Sequence, residues 1–125
     1  AMKAAPIARA RLYRQVDALL AERELLLSPT LSAPPPPADL DPVGVFEIDG
    51  EPVGDLRDGW FTYPTPFNLT GHPALSIPIG FDGNGLPIGL HAVTTWGNEQ
   101  RLFDLAALLQ TRFAWSHRWP ELSGS

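Results

Sequence analysis

The sequence predicts an α/β domain in which a small mixed sheet, one strand plus an antiparallel hairpin, packs with N- and C-terminal helices. Three observations predict it. Apolar residues recur at helical spacing near the N-terminus (Ala8, Leu12, Val16, Leu19, Leu20) and again near the C-terminus (Leu102, Leu105, Ala106, Leu109, Phe113). Two apolar runs flank Asp82-Gly83-Asn84-Gly85, residues that accept the positive φ of tight turns. A third short apolar run, Leu25-Leu26-Leu27, lies between Glu24 and Pro29. The 125 residues suffice for one domain with a core of its own, so 1–125 is expected to be a single domain.

The first helix is expected over residues 5 to 24, with Pro6 in the first turn, where its missing N–H is no loss. Arg9, Arg11, Arg14, Asp17 and Glu22 cover its other side. The run Glu24 to Ser28 reads as a strand buried on both faces, stopped by Pro29 because proline cannot donate to a ladder. Residues 31 to 60 form a long Pro-rich loop without periodicity. Pro34 to Pro37 are stiff and extended, and Val45 to Val53 form a small hairpin turning at Asp49-Gly50. Loops this long are uncommon in compact domains, so this one is expected to be functional or to rest on something outside the chain.

Residues 61 to 71 are ambiguous, because Pro64 and Pro66 argue against a helix interior. Residues 74 to 80 read as a strand and 86 to 95 as its return strand, covered on both faces. Leu75, Ile77 and Ile79 should share one face, as should Ile88, Leu90 and Ala92. The last helix spans about 98 to 113, with Asn98 as its cap and Glu99 in its first turn. Its apolar stripe should pack on the hairpin, near Leu12, Val16 and Leu19. Trp115, Trp119 and Pro120 follow, and 123–125 read as a flexible tail.

Composition narrows the chemistry. There are 14 prolines, about twice the usual ~5% share. The absence of cysteine removes disulfide scaffolds, zinc thiolate sites and thiol nucleophiles. A net charge of −5 with Lys3 as the only lysine argues against a nucleic-acid partner. No apolar run reaches the ~20 residues of a membrane span and no secretory signal is visible, so a soluble cytoplasmic protein is the expectation. His72, His91 and His117 stand far apart without carboxylates at ligand spacing, so no metal and no cofactor is expected. No serine sits in a Gly-x-Ser-x-Gly elbow. Ser76, which could be grouped with His72 and Asp82, lies within a strand pattern that offers no oxyanion-hole turn. The glycines at 80, 83, 85 and 89 serve the hairpin rather than a phosphate loop.

One long segment carries a specific resemblance. Asn68-Leu69-Thr70-Gly71, Pro73-Ala74, Ser76-Ile77-Pro78-Ile79-Gly80 and Gly85-Leu86-Pro87-Ile88-Gly89-Leu90 follow one another in order, trailed by a helix with Glu99, Leu105 and Ala106. In that order they resemble the C-terminal end of amidase signature enzymes. Upstream, Glu24 to Thr30 is similar to that family's acidic-apolar strand ending in Thr-Pro-Thr, and the resemblance covers residues 8 to 120. The fold it implies is a fragment of the amidase signature fold, the C-terminal quarter or so of such an enzyme.

The resemblance implies hydrolysis of a carboxylic amide by a Ser, cis-Ser, Lys triad in the whole enzyme. Those three groups lie in the family's Gly/Ser-rich N-terminal and central part, which this chain lacks. No residue here therefore inherits a catalytic role, and the chain is expected to be inactive by itself. Thr30, Phe61, Thr62, Phe67 and Asn68 are the expected lining of the pocket for a small-molecule amide. The A subunits of tRNA-dependent amidotransferases carry an acidic residue seven before the motif Asn. Here that position is Phe61, which together with Tyr63 and Phe67 suits an apolar or aromatic amide; the plain alternative is that these aromatics are core. The apolar segments Leu25 to Leu27 and Leu86 to Val93 imply self-association or a missing N-terminal portion. A stand-alone binding or regulatory module, partnering a separate catalytic chain, is the alternative reading.

Overall fold

A computed structural model describes residues 4–115, 117 and 118. Lys3, Trp119, Pro120 and the tail 123–125 lie outside the described residues. In chain order the elements are α1 (Ala4–Ala21), β1 (Leu26–Pro29), β2 (Glu47–Ile48), β3 (Glu51–Pro52), α2 (Leu56–Trp60), α3 (Thr65–Thr70), β4 (Ala74–Phe81), β5 (Pro87–Val93) and α4 (Glu99–Phe113).

The main sheet has the order β1-β5-β4, so β5 is central and β1 and β4 are its edges. The α/β class stands, but both pairings are antiparallel, so within this chain the sheet is antiparallel rather than mixed. Leu26, Leu27, Ser28 and Pro29 oppose Val93, Ala92, His91 and Leu90. Burial along β1 alternates, and Leu27 is 50% exposed, so β1 is not buried on both faces as expected. Pairing also continues through Pro29. An edge strand tolerates a proline because half of its backbone donors face no neighbour, and the Thr30 N–H donates to the Gly89 carbonyl at 2.9 Å just beyond it.

The hairpin β4–β5 forms as expected. The Asp82 N–H donates to the Leu86 carbonyl at 2.8 Å, and Asp82 Oδ1 accepts from the Asn84 and Leu86 N–H groups. Gly85 supplies the one positive φ the turn needs, 80°. The expected alternation fails at Ile79. Pro78 opposes Gly89 and Gly80 opposes Ile88, leaving Ile79 as the extra residue of a bulge. Pro78 has no N–H to offer the ladder, which is where a bulge is easiest to accommodate. Full cover of β5 holds only for His91, Ala92 and Val93; Pro87 and Ile88 are exposed.

Strand parity separates two faces. On one, Val93 joins Val16 and Leu20 of α1 in the core, with Leu12, Leu26 and Phe67 against it. Ile77, Ala92 and Leu102 are also buried but lie outside that cluster, and α4 runs along β4. The α1 stripe is shifted from expectation: Leu20 is buried and Leu19 exposed. α1 also ends at Ala21 rather than 24, because the chain must turn there to enter β1, and Arg23 N–H closes that turn on the Leu20 carbonyl.

The long loop expected over 31–60 contains one short helix, α2. Asp55 caps α2 by accepting from the Asp58 N–H at 2.9 Å. The ambiguous stretch 61 to 71 resolves into α3, with Pro64 before it and Pro66 in its first turn, positions that need no N–H. Gly71, at φ 73°, closes α3. The small hairpin turns at Asp49-Gly50, both at positive φ, as expected. Asn98 precedes α4 but makes no side-chain cap; its amide donates to the Thr95 hydroxyl instead. An ion pair between Arg101 and Glu24 ties α4 to the link between α1 and β1.

Candidate functional site

The candidate site grows out of the end of β1. Parity puts Leu26, Ser28 and Thr30 on one face, with His91, Gly89, Ser76 and Pro78 beside them on the neighbouring strands. Two hydrogen-bonded pairs follow. The Ser28 hydroxyl meets His91 Nδ1 at 3.3 Å, and the Thr30 and Ser76 hydroxyls meet at 2.7 Å. The second pair closes over Gly89. A Cβ at residue 89 would stand 2.5 Å from Thr30 Oγ1 and 2.8 Å from Ser76 Oγ, so the hydroxyls occupy the space that only glycine leaves.

Beyond Thr30 the chain leaves the sheet and forms a wall. Thr30 to Pro35 on one side and Ser76, Pro78, Pro87, Ile88 and Gly89 on the other enclose a groove of about 410 Å³. This is within the ~300–1,000 Å³ range of small-molecule sites. Among the described residues no ionisable side chain lines it. The wall is held by α2. Ser32 N–H donates to the Trp60 carbonyl at 3.2 Å, the Ser32 hydroxyl donates to the Gly59 carbonyl, and Trp60 Nε1 donates to the Ala33 carbonyl at 2.7 Å. Gly59 is buried, and a Cβ there would stand 2.5 Å from Val53 Cγ2, so the residue that follows β3 presses directly on this clamp.

Of the residues expected to line a pocket, Thr30 alone reaches this groove. Phe61 and Thr62 sit in the turn after α2, both exposed, with the Thr62 hydroxyl donating to the Asp58 carbonyl at 2.8 Å. Phe67 packs on the core against Val16, Leu20 and Val93, its ring 5.3 Å from that of His91. Asn68 is exposed on α3. Sequence reasoning missed Ser76 and Gly89 as partners of Thr30. The signal was available in part: Ser76 and Gly89 both interrupt apolar strands, but only the register shows that they meet.

Both described buried histidines are held towards the neutral form. Burial lowers the pKa of His91. Burial also lowers that of His72, partly opposed by the negative charge of Asp17. His72 Nδ1 meets the Thr70 hydroxyl at 2.9 Å, its ring stacks on Tyr13 at 4.8 Å, and its Nε2 is buried without a partner. Among the described residues no group of three or more His, Cys, Asp and Glu could hold a metal ion. No helix among them is long and apolar enough to cross a membrane.

Fold and groove thus define an α/β chain with an uncharged cleft of small-molecule size, two exposed sheet edges and no described lysine. The Amidase family model matches residues 2–103, and the chain belongs to the amidase signature family. A putative amidase of Mycobacterium tuberculosis (strain ATCC 25618 / H37Rv), AmiA2, is 32% identical over 110 residues, 87% of this chain and 22% of that protein. A 6-aminohexanoate-cyclic-dimer hydrolase of Pseudomonas sp. (strain NK87) is 44% identical over 69 residues, 55% of this chain and 14% of its own. A crystal structure of an amidase superposes with a TM-score of 0.72 at 28% identity, covering 84% of this chain and 23% of that one. The chain therefore spans less than a quarter of the length of these relatives.

Proposed function

We propose that this chain is the C-terminal portion of an amidase signature hydrolase, contributing a wall of the amide site while the catalytic groups lie in another part of the enzyme. The observation that carries the reading is the combination of a family match over most of this chain with coverage of only about a fifth of the relatives. A triad of two serines and a lysine needs a lysine base, and the sequence holds a single lysine, Lys3, with no Gly/Ser-rich segment beside it. In this reading Thr30 lines the substrate's path from the sheet side. Phe61, Thr62 and Asn68 lie outside the groove, exposed on the turn after α2 and on α3, and Phe67 fixes α3 to the core.

The coding DNA tests the reading. A reading frame that continues upstream into a Gly/Ser-rich segment containing a lysine supports it. A native start codon at the beginning of this chain, with an in-frame stop before it, overturns it in favour of a stand-alone module that partners a separate catalytic chain.

A further inference from the structure

The Thr30–Ser76 pair carries an inference about what the groove binds. Two hydroxyls 2.7 Å apart use one hydrogen between them, and neither has another partner among the described residues. The pair therefore keeps one free O–H and unfilled oxygen lone pairs, and Ser76 is exposed at the groove. One donor and one acceptor side by side match the C=O and N–H of a carboxamide. The walls around the pair are apolar, from Leu31, Pro34, Pro78, Pro87 and Ile88. A carboxylate would find no cation in this lining, and an ammonium ion no carboxylate. Gly89 is what permits the arrangement, since any side chain there would displace both hydroxyls.

We propose that the Thr30–Ser76 hydroxyl pair, seated over Gly89, is a docking point for the carboxamide group of a neutral amide whose apolar substituent lies along the proline-lined groove. The proposal rests on the reading that an amide is what this chain's groove meets. It deepens that reading by naming the contact atoms and by selecting against charged amides. The groove has the volume for a single-ring amide or a short aliphatic one.

The test is binding rather than turnover, so it does not depend on where the catalytic groups lie. The purified chain is titrated with benzamide, benzoate and benzylamine, three probes of one shape and three charges, and followed by amide N–H chemical shifts. Saturable shifts at Thr30, Ser76, Ile88 and Gly89 are expected with benzamide, with benzoate and benzylamine at least about tenfold weaker. Thr30→Val and Ser76→Ala each remove one hydroxyl with little change of shape and should weaken benzamide about threefold to tenfold. Gly89→Ala should abolish saturation, and the two hydroxyl variants keep the test intact if that variant fails to fold. Equal binding of benzoate, unchanged binding in both hydroxyl variants, shifts confined to Phe61–Asn68, or no saturable shift at the solubility limit of benzamide overturns the proposal. Benzamide bound at Thr30 and Ser76 by a chain whose gene proves to be free-standing would sustain this inference and end the fragment reading. The converse pair of results would do the reverse.

Discussion

Replacing Leu102 with alanine tests how α4 is seated. Leu102 is 3% exposed and is the only fully buried residue of that helix, whereas Leu105, Ala106 and Leu109 are half-buried and Phe103 and Leu108 face outward. The substitution removes three carbon groups at ~0.8 kcal/mol each and leaves a cavity, which for leucine truncations totals about 2–5 kcal/mol. The half-buried neighbours leave room for partial collapse, so the lower part of that range, about 2–3 kcal/mol, is expected. Against a total stability of ~5–15 kcal/mol this is a large loss, worth roughly 10 °C in Tm. Leu108→Ala is the matched control: Leu108 is 65% exposed, and its loss should cost no more than about 0.5 kcal/mol. Thermal melts of the two variants, followed by far-UV circular dichroism, give the comparison. Equal shifts in Tm, or a larger shift for Leu108→Ala, would refute the orientation of α4 and with it the second layer over Ile77 and Ala92.

Two further outcomes are expected. Burial lowers the pKa of His72 and of His91 from the usual 6.5, so the unfolded chain takes up protons before the folded one does. Their stabilising effect is complete above pH 6.5 and is lost as pH falls from there through the folded-state values, so urea midpoints should decline from pH 7 towards pH 5. A midpoint that rises or stays level across that interval contradicts it. The second outcome is self-association of the isolated chain. β1 and β4 are open edges, and Leu27, Trp96, Phe103 and Leu108 are exposed apolar groups. Sedimentation velocity should show a dimer growing with concentration, and a monomer at every concentration speaks against it.

The elements with strong local signals were legible in the sequence. The hairpin over Asp82 to Gly85, the turn at Asp49-Gly50 and the apolar stripes of α1 and α4 depend on residues close in the chain, and each formed near its expected place. What the sequence hid were effects decided at a distance. Leu25 to Leu27 looked buried on both faces because three leucines in a row carry no alternation, yet β1 became an edge with Leu27 outward. Pro78 gave no warning of a bulge, because its effect on Ile79 depends on which residue of β5 it opposes. Pro64 and Pro66 looked like breakers but start α3, a difference of position rather than of residue type. The candidate site shows the same limit. Thr30 was found through its motif, whereas its partners Ser76 and Gly89 are 46 and 59 positions away and are brought to it only by the register of two strand pairings.

The central claim is that this chain lines an amide site without supplying the hydrolytic groups. Hydrolysis of p-nitroacetanilide and benzamide by the purified chain alone measures that most directly, with released nitroaniline and ammonia as readouts. The account predicts no turnover above buffer at any pH at which the chain is folded. Turnover that co-purifies with the chain and disappears in Ser28→Ala, the one serine held against an imidazole among the described residues, would contradict it.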